Sequence, residues 1–428
     1  MLAPLNRLLS RVVRHGRLTL VDHSGRSWHF GPTSDPVADV PTYAVVVRLT
    51  DRATELALAR DPYLAIGQAY MDGRLRMVEG TIYDLLALLM RGVDGTTLPR
   101  WVSGLEHMRR SMRRLAQYNP VERSRRNVAH HYDIDGSIYD LFLDNDRQYS
   151  CAYFNDRTDG AATLDQAQLL KKRHIAAKLA IEPGHRVLDI GSGWGGLALY
   201  LARTCDADVT GVTLSQEQIA IARQRATAAG LDHVVRFEPT DYRDLSGHFD
   251  RIVSVGMLEH VGINHYQSFF EKVAHVLAED GVALIHTIGR SDGPGHTNPF
   301  IARYIFPGGY FPALSELVPA VERGGLIVAD VEVLRLHYAE TLKAWRERFL
   351  AARDTAVALR GEQFARMWEF YLTASEAAFR WQGLVVLQLQ LIRRIDVLPI
   401  TRDYITAAEH LLATREQGLS DSRRMAGE

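Results

Sequence analysis

The sequence is poor in cysteine: only Cys151 and Cys205 occur in 428 residues. Two thiols cannot build a disulfide framework or a cysteine-based zinc site, and they fit a reducing cytoplasmic compartment. Long apolar runs are lacking too. Crossing a bilayer takes roughly 20 consecutive apolar residues. The candidates Tyr83 to Met90 and Leu384 to Ile392 are far shorter, and Gln388 and Gln390 break the second. The early arginines are not followed by a continuous apolar stretch and a cleavage site, so no signal peptide is read. Excess charge of one sign is also missing: 50 Lys+Arg face 51 Asp+Glu. That balance disfavours a globally basic nucleic-acid binder and leaves room only for a local patch. Internal repeats and low-complexity segments do not occur.

What is present reads as globular. Hydrophobic residues make up 46% and charged residues 24% of a chain too long for one ordinary domain. In the first hundred residues, Arg17 to Phe30 reads as a hairpin around Ser24-Gly25 and Tyr43 to Leu49 as a strand. Asp61 to Tyr70 and Thr81 to Met90 carry helical periodicity. This part offers no nucleophile, metal cluster or phosphate loop, and is read as a structural or interaction domain. Residues 101–126 then crowd Arg109, Arg110, Arg113, Arg114, Arg123, Arg125 and Arg126, with a break at Asn119-Pro120. Two readings compete: a solvated linker face, or a basic surface for anionic phospholipid headgroups, each arginine worth on the order of 1 kcal/mol.

From about residue 160 strands and helices alternate. Arg186 to Ile190, Asp208 to Thr213, Val235 to Pro239, Arg251 to Met257 and Val282 to Ile288 read as buried strands. Ser215 to Ala229 and His265 to Leu277 are helical patterns between them. Such alternation implies a parallel sheet covered on both faces, an α/β fold. The chain from Ala339 onward is mostly helical, with late strands suggested at Ile327 to Leu334 and Leu384 to Ile392.

The strongest local signal is Val187-Leu188-Asp189-Ile190-Gly191-Ser192-Gly193-Trp194-Gly195-Gly196. Glycines let the backbone approach a ligand, and the following helix offers free N–H groups. Nicotinamide, flavin and S-adenosylmethionine enzymes all use such loops. Two details separate them. Asp189 precedes the first glycine by two residues, which suits methyltransferases. The second strand ends Gly211-Val212-Thr213-Leu214-Ser215, without the acid a dinucleotide ribose usually meets. Thr213 and Gln218 are candidates for polar roles instead. The fourth strand delivers Glu259 and His260 to the carboxyl edge of the sheet, and the fifth delivers His286. Glu259 is read as chemical and His260 as structural. Glu259 and His286 suit a shared small anion or a proton relay better than a metal, because no further acid or histidine follows at ligand spacing.

These residues occur together with Tyr149-Ser150-Cys151-Ala152-Tyr153-Phe154, Asp241-Tyr242, Met257 to Gly262, Leu284 to Gly289, Tyr304 to Gly309 and Tyr338 to Trp345. In that order they resemble the cyclopropane-fatty-acyl-phospholipid synthases and their kin, the mycolic acid cyclopropane synthases. The likeness is close over residues 125–394, and Ala69 to Gly73 resembles the accessory domain of the phospholipid-acting members. The resemblance implies a Rossmann-like class I methyltransferase fold with a mostly parallel seven-stranded sheet over 127–428. A smaller α+β N-terminal domain over 1–108 and a basic linker over 109–126 complete the division. It implies S-adenosylmethionine as methyl donor and an unsaturated phospholipid as substrate. It also implies a bicarbonate base held by backbone N–H at Cys151 and Ile288 and by Glu259, His286 and Tyr338, which would make Cys151 no nucleophile. The cofactor contacts carried over are Tyr149, Ser150, Asp189, Gly191, Gly193, Trp194, Gly195, Thr213, Gln218, Asp241 and Tyr242, with no metal. Trp194, Tyr304, Phe306 and Tyr310 are either cation-facing aromatics or plain core. Residues 290–320 are taken as part of an acyl channel.

The resemblance further implies peripheral attachment to the inner face of an anionic membrane, allows a homodimer, and gives no role to nucleic acid. The chain departs from the family at Ser192, usually cysteine, and at Ser375, a cysteine in some members. Two rivals stay open: a lipid methyltransferase giving a methylene, methyl-branched or hydroxylated product, and an inactive homologue that only binds.

Overall fold

The computed structural model describes residues 1–32, 44–93, 98–113, 117, 136–155 and 163–426. Two compact units emerge. One comprises Met1–Ala116, Gly295–Pro307 and Tyr338–Leu384, the other Gln117–Pro294, Gly308–His337 and Val385–Glu428. The stretch 127–428, read from sequence as one domain, is thus divided between them.

In the first unit, β1 (Arg17–Val21) and β2 (Ser27–Phe30) form the expected hairpin. β3 (Ala44–Leu49) lies parallel to β1, and β4 (Leu75–Glu79) completes the order β2-β1-β3-β4. The helix Ile82–Arg91 starts where the sequence turns polar: Thr81 accepts from Asp84 N–H and Asp84 accepts from Thr81 N–H, which satisfies two end donors. Its apolar face, Leu85, Leu86 and Leu88, joins Leu18, Val45 and Val47 in one core. Phe300, Phe370 and Ala377 belong to that same core, which is why the late segments cluster with the early ones. Gly67 marks the closest approach: a Cβ there would stand 2.3 Å from the Phe300 ring and 2.7 Å from Phe370.

The second unit is built on β5 (Arg186–Ile190), β6 (Asp208–Val212), β7 (Val235–Glu238), β8 (Phe249–Val255), β9 (Leu277–Arg290), β10 (Ile327–Leu334) and β11 (Leu384–Ile392). Their order is β10-β11-β9-β8-β5-β6-β7. The pairs β5–β6, β6–β7, β5–β8 and β8–β9 are parallel, and β10 runs antiparallel to β11. Apolar clusters cover both faces. One joins Leu188, Ile252 and Ile285 to Phe269 and Phe270; the other joins Val187, Val209 and Val253 to Leu201 and Ala222. β8 ends at Val255 rather than Met257, which frees Gly256 and Met257 for a loop. β9 starts at Leu277, where the helix Tyr266–Val276 stops. β5 and β8 are neighbours from which the strand order runs in opposite directions, so a crevice opens at their carboxyl ends.

Candidate functional site

At the tip of β5 the chain turns through Gly191, Gly193 and Gly195, with φ of +88°, +54° and +82°. A Cβ at Gly191 would stand 3.0 Å from Met257 Cβ. Only glycine meets both demands at low cost. The turn is pinned by Gly191 N–H and Ser192 N–H donating to Val212 O, at 2.9 and 3.1 Å. A cavity at this crevice is lined by Gly191, Gly193, Thr213, Gln218, Asp241, Tyr242, Met257 and His260, among others. Six of the expected cofactor contacts therefore share one cavity.

Its polar lining is ordered. Thr213 Oγ1 donates to Gln218 Oε1 at 2.9 Å. Asp241 is buried, accepts from Arg243 N–H and pairs with the Arg243 guanidinium at 2.6 Å. The Tyr242 ring packs edge-on to Phe269, and burial pushes its hydroxyl up to about 12. Asp189 is the exception. Its Oδ2 is buried without a hydrogen-bond partner among the described residues, and burial pushes its carboxyl up to about 7. An orphaned carboxyl beside a glycine turn fits a ligand bearing an amine or a sulfonium.

Tyr149 and Trp194 meet on one ring. Both stand edge-on to Tyr139, at 5.1 and 5.2 Å. Ser150 lies beside them, and its Oγ accepts from Lys171 Nζ at 2.8 Å. Lys171 is fully buried, also donates to Gln148 Oε1 at 2.6 Å, and is pushed down to about 8 by burial. Neighbouring Gln168 donates to the carbonyls of Gln148 and Ser150. The polar side of the helix Leu164–Lys178 thus holds segment 148–150, which leads into buried Cys151. The Lys171 charge also acts on Asp189 and His286, and the Cys151 thiol in turn acts on Lys171.

At the tips of β8 and β9 lie the buried Glu259 and His286. Glu259 sits in the short turn Leu258–His260; its backbone carbonyl accepts from Tyr310 N–H, and its Oε1 accepts from Ile288 N–H at 2.6 Å. Glu259 Oε2 is buried without a partner among the described residues, and burial pushes the carboxyl up to about 7. His286 is 3% exposed; burial and the Lys171 and Lys178 charges push it down to about 3, so the ring is neutral. Its Nδ1 lies 3.2 Å from Gln388 Nε2. His260, read as structural, lines the cavity and is pushed down to about 4 by burial.

Glu259 and Ile288 therefore meet directly, and β9 carries His286 two residues from Ile288. Tyr338 lies in the other unit, its ring against Trp345 and Phe379. Tyr304 and Phe306 are there too, Tyr304 beside Phe300 and Phe306 against Tyr371. Tyr310 is buried in the second unit and donates to Glu316. Sequence reasoning missed Lys171, Gln168, Tyr139, Lys178 and Gln388. The two glutamines inside apolar β11 were the available signal, since a buried amide needs partners.

The strand order, the glycine turn and the crevice with its buried acids define a class I methyltransferase. The family model for mycolic acid cyclopropane synthetase matches residues 120–389. The cyclopropane-fatty-acyl-phospholipid synthase of Escherichia coli is 38% identical over 78% of this chain and 84% of its own. The tuberculostearic acid methyltransferase UfaA1 of Mycobacterium tuberculosis is 36% identical over 91% of this chain and 90% of its own. A crystal structure of the mycolic acid cyclopropane synthase CmaA1, complexed with SAH (S-adenosylhomocysteine) and CTAB, is 32% identical. It superposes with a TM-score of 0.59 over 64% of this chain and 99% of that one. The chain belongs to the mycolic acid cyclopropane synthetase family and is an S-adenosylmethionine-dependent methyltransferase.

Proposed function

We propose that the protein transfers a methylene carbon from S-adenosylmethionine to the cis double bond of an unsaturated acyl chain in a membrane phospholipid, closing a cyclopropane ring. The observation that carries this reading is buried Glu259, its carboxyl pushed up to about 7 by burial and one oxygen unpartnered among the described residues, next to His260 of the cofactor cavity. Bound S-adenosylmethionine supplies an electrophilic methyl on a sulfonium. Asp189, Thr213, Gln218 and Asp241 are the residues that would orient it. Attack by the alkene leaves a carbocation on the acyl chain. Loss of a proton from the added methyl lets that carbon bond to the cation and form the ring.

Exclusion of water is the chain's first task, because a carbocation would otherwise be hydrated. Placing a proton acceptor beside the methyl is the second. A bicarbonate fits as that acceptor. It would be held by Glu259 and His286 and by the N–H groups of Cys151 and Ile288. Ile288 N–H is engaged by Glu259 in this structure, so an anion there would share that donor with the carboxyl. A Glu259 that is half protonated near pH 7 can donate to one oxygen of such an anion.

The membrane contact in this reading runs through the arginine-rich stretch. Arg109 is tied to Asp61, whereas Arg110 is exposed, with Met108 and Met112 each 52% exposed nearby. Arg114, Arg123, Arg125 and Arg126 lie outside the described residues. Among the described residues no helix is long and apolar enough to cross a membrane.

A methyl- or methylene-branched product is the second reading, favoured by the similarity to tuberculostearic acid methyltransferase over most of the chain. Proton NMR of lipids from cells expressing the protein tests the choice. An upfield ring-methylene signal supports the cyclopropane. Vinylic signals, or a new methyl branch without the upfield signal, would select the second reading.

A further inference from the structure

Gln388 is fully buried in the apolar run of β11. An amide left unsatisfied there would bear its full desolvation penalty. It has two partners. Gln388 Oε1 faces Lys178 Nζ at 3.2 Å, and Gln388 Nε2 faces His286 Nδ1 at 3.2 Å. Lys178 is itself fully buried, and its Nζ donates to Glu332 Oε2 at 2.9 Å. Glu332 is shared with His174 Nε2 at 2.8 Å, and His174 Nδ1 meets Glu409 at 2.7 Å.

An ammonium only donates, so the Gln388 atom that faces Lys178 is the oxygen. The opposite end is then the NH2 group, which also only donates. His286 Nδ1 must accept, and a neutral imidazole that accepts at Nδ1 carries its proton on Nε2. We infer that Gln388, oriented by Lys178, is a positioning residue that locks His286 in the Nε2–H tautomer, so that the ring offers a hydrogen-bond donor to the reaction's anion. The burial that keeps His286 neutral makes the tautomer, rather than the charge, the variable the protein must set. The inference rests on the proposed role of His286 as an anion donor. The tautomer itself is read on the ring, whatever the product.

The test uses full-length protein labelled with 15N-histidine, the His286 signals being identified by their loss in His286→Gln. Wild type should show an unprotonated Nδ1 and a protonated Nε2. Gln388→Glu replaces the donor by an acceptor. It should move the proton to Nδ1, lower kcat at least 10-fold, and leave the Kd for S-adenosylhomocysteine within about twofold, because Gln388 does not line the cofactor cavity. A protonated Nδ1 in wild type overturns the inference, even if the variant fails to fold. So does a Gln388→Glu protein that keeps Nε2–H, or one that moves the proton and turns over normally. A branched product with the expected tautomer would overturn the proposed function and leave the inference standing.

Discussion

Beyond the tips of β5, β6 and β7 the chain places glycines and polar side chains already bonded to one another, as in Thr213 with Gln218 and Asp241 with Arg243. At the tips of β8 and β9 it places Glu259 and His286, two titratable groups moved far from their ordinary pKa values by burial. The first region works through backbone shape. The second works through desolvation, supplied by residues distant in the chain. A ligand can be cradled by a contiguous motif, but acid–base chemistry at neutral pH needs a tertiary environment. Asp189 bridges the two, standing near the end of β5 just before the glycine turn, with its carboxyl raised by burial as at Glu259.

The comparison breaks most sharply at Glu259. Glu259→Gln should cut turnover by about 10²-fold or more, the scale of a positioned acid–base group, while the calorimetric Kd for S-adenosylhomocysteine stays unchanged. A matching loss of cofactor affinity would mean that the regions are not separable.

Stability against pH sharpens the same contrast. Glu259 is raised from 4.5 to about 7 in the folded state, so the folded protein holds this proton more tightly than the unfolded chain. Its contribution is fully favourable below about pH 4.5 and is lost as pH rises through about 7, a change of about 3 kcal/mol. Glu259→Gln should therefore gain stability relative to wild type between pH 5 and 8 in urea unfolding. Parallel curves for the two proteins would contradict the buried, raised carboxyl.

A smaller effect is expected at the bridge between the regions. Asp189→Asn should weaken S-adenosylhomocysteine binding about 10-fold, near the 1.4 kcal/mol that one decade represents, with kcat at saturating cofactor reduced less. The smallest effect lies outside both. Arg110→Gln should weaken binding to anionic vesicles by about 1 kcal/mol, and Arg109→Gln by less, because Arg109 already pairs with Asp61. Equal losses from the two variants would show that the ion pair does not hold Arg109 back.

What the sequence made legible follows the same division. β5 runs over Arg186–Ile190 as its pattern predicts, and β10 and β11 match their apolar alternation and run. In the cavity lining, Gly191 and Thr213 were legible because they directly follow the ends of β5 and β6, whereas Gln218, in the helix after β6, and Asp241, in the loop after β7, were reached as cofactor contacts through the family resemblance. β4 was missed: Leu75–Glu79 alternates weakly, and a register shift at Val46 interrupts its ladder with β3. The helix Leu164–Lys178 hid its role because its lysines look like solvated surface, although Lys171 and Lys178 are fully buried. Only the folded arrangement shows that Lys171 holds Gln148 and Ser150 and that Lys178 orients Gln388. The packing of Phe300 and Phe370 against the N-terminal helices likewise has no local sequence signal.

The central claim is that buried Glu259 and His286 act through a small exchangeable oxyanion. Wild-type turnover on unsaturated phospholipid vesicles, measured in carbonate-free buffer at pH 7.5 (chosen to lie above about 7) and again after bicarbonate is restored, tests it directly. The account predicts a rate that falls on depletion and returns on replenishment, with no change in cofactor affinity. A rate indifferent to bicarbonate would contradict it.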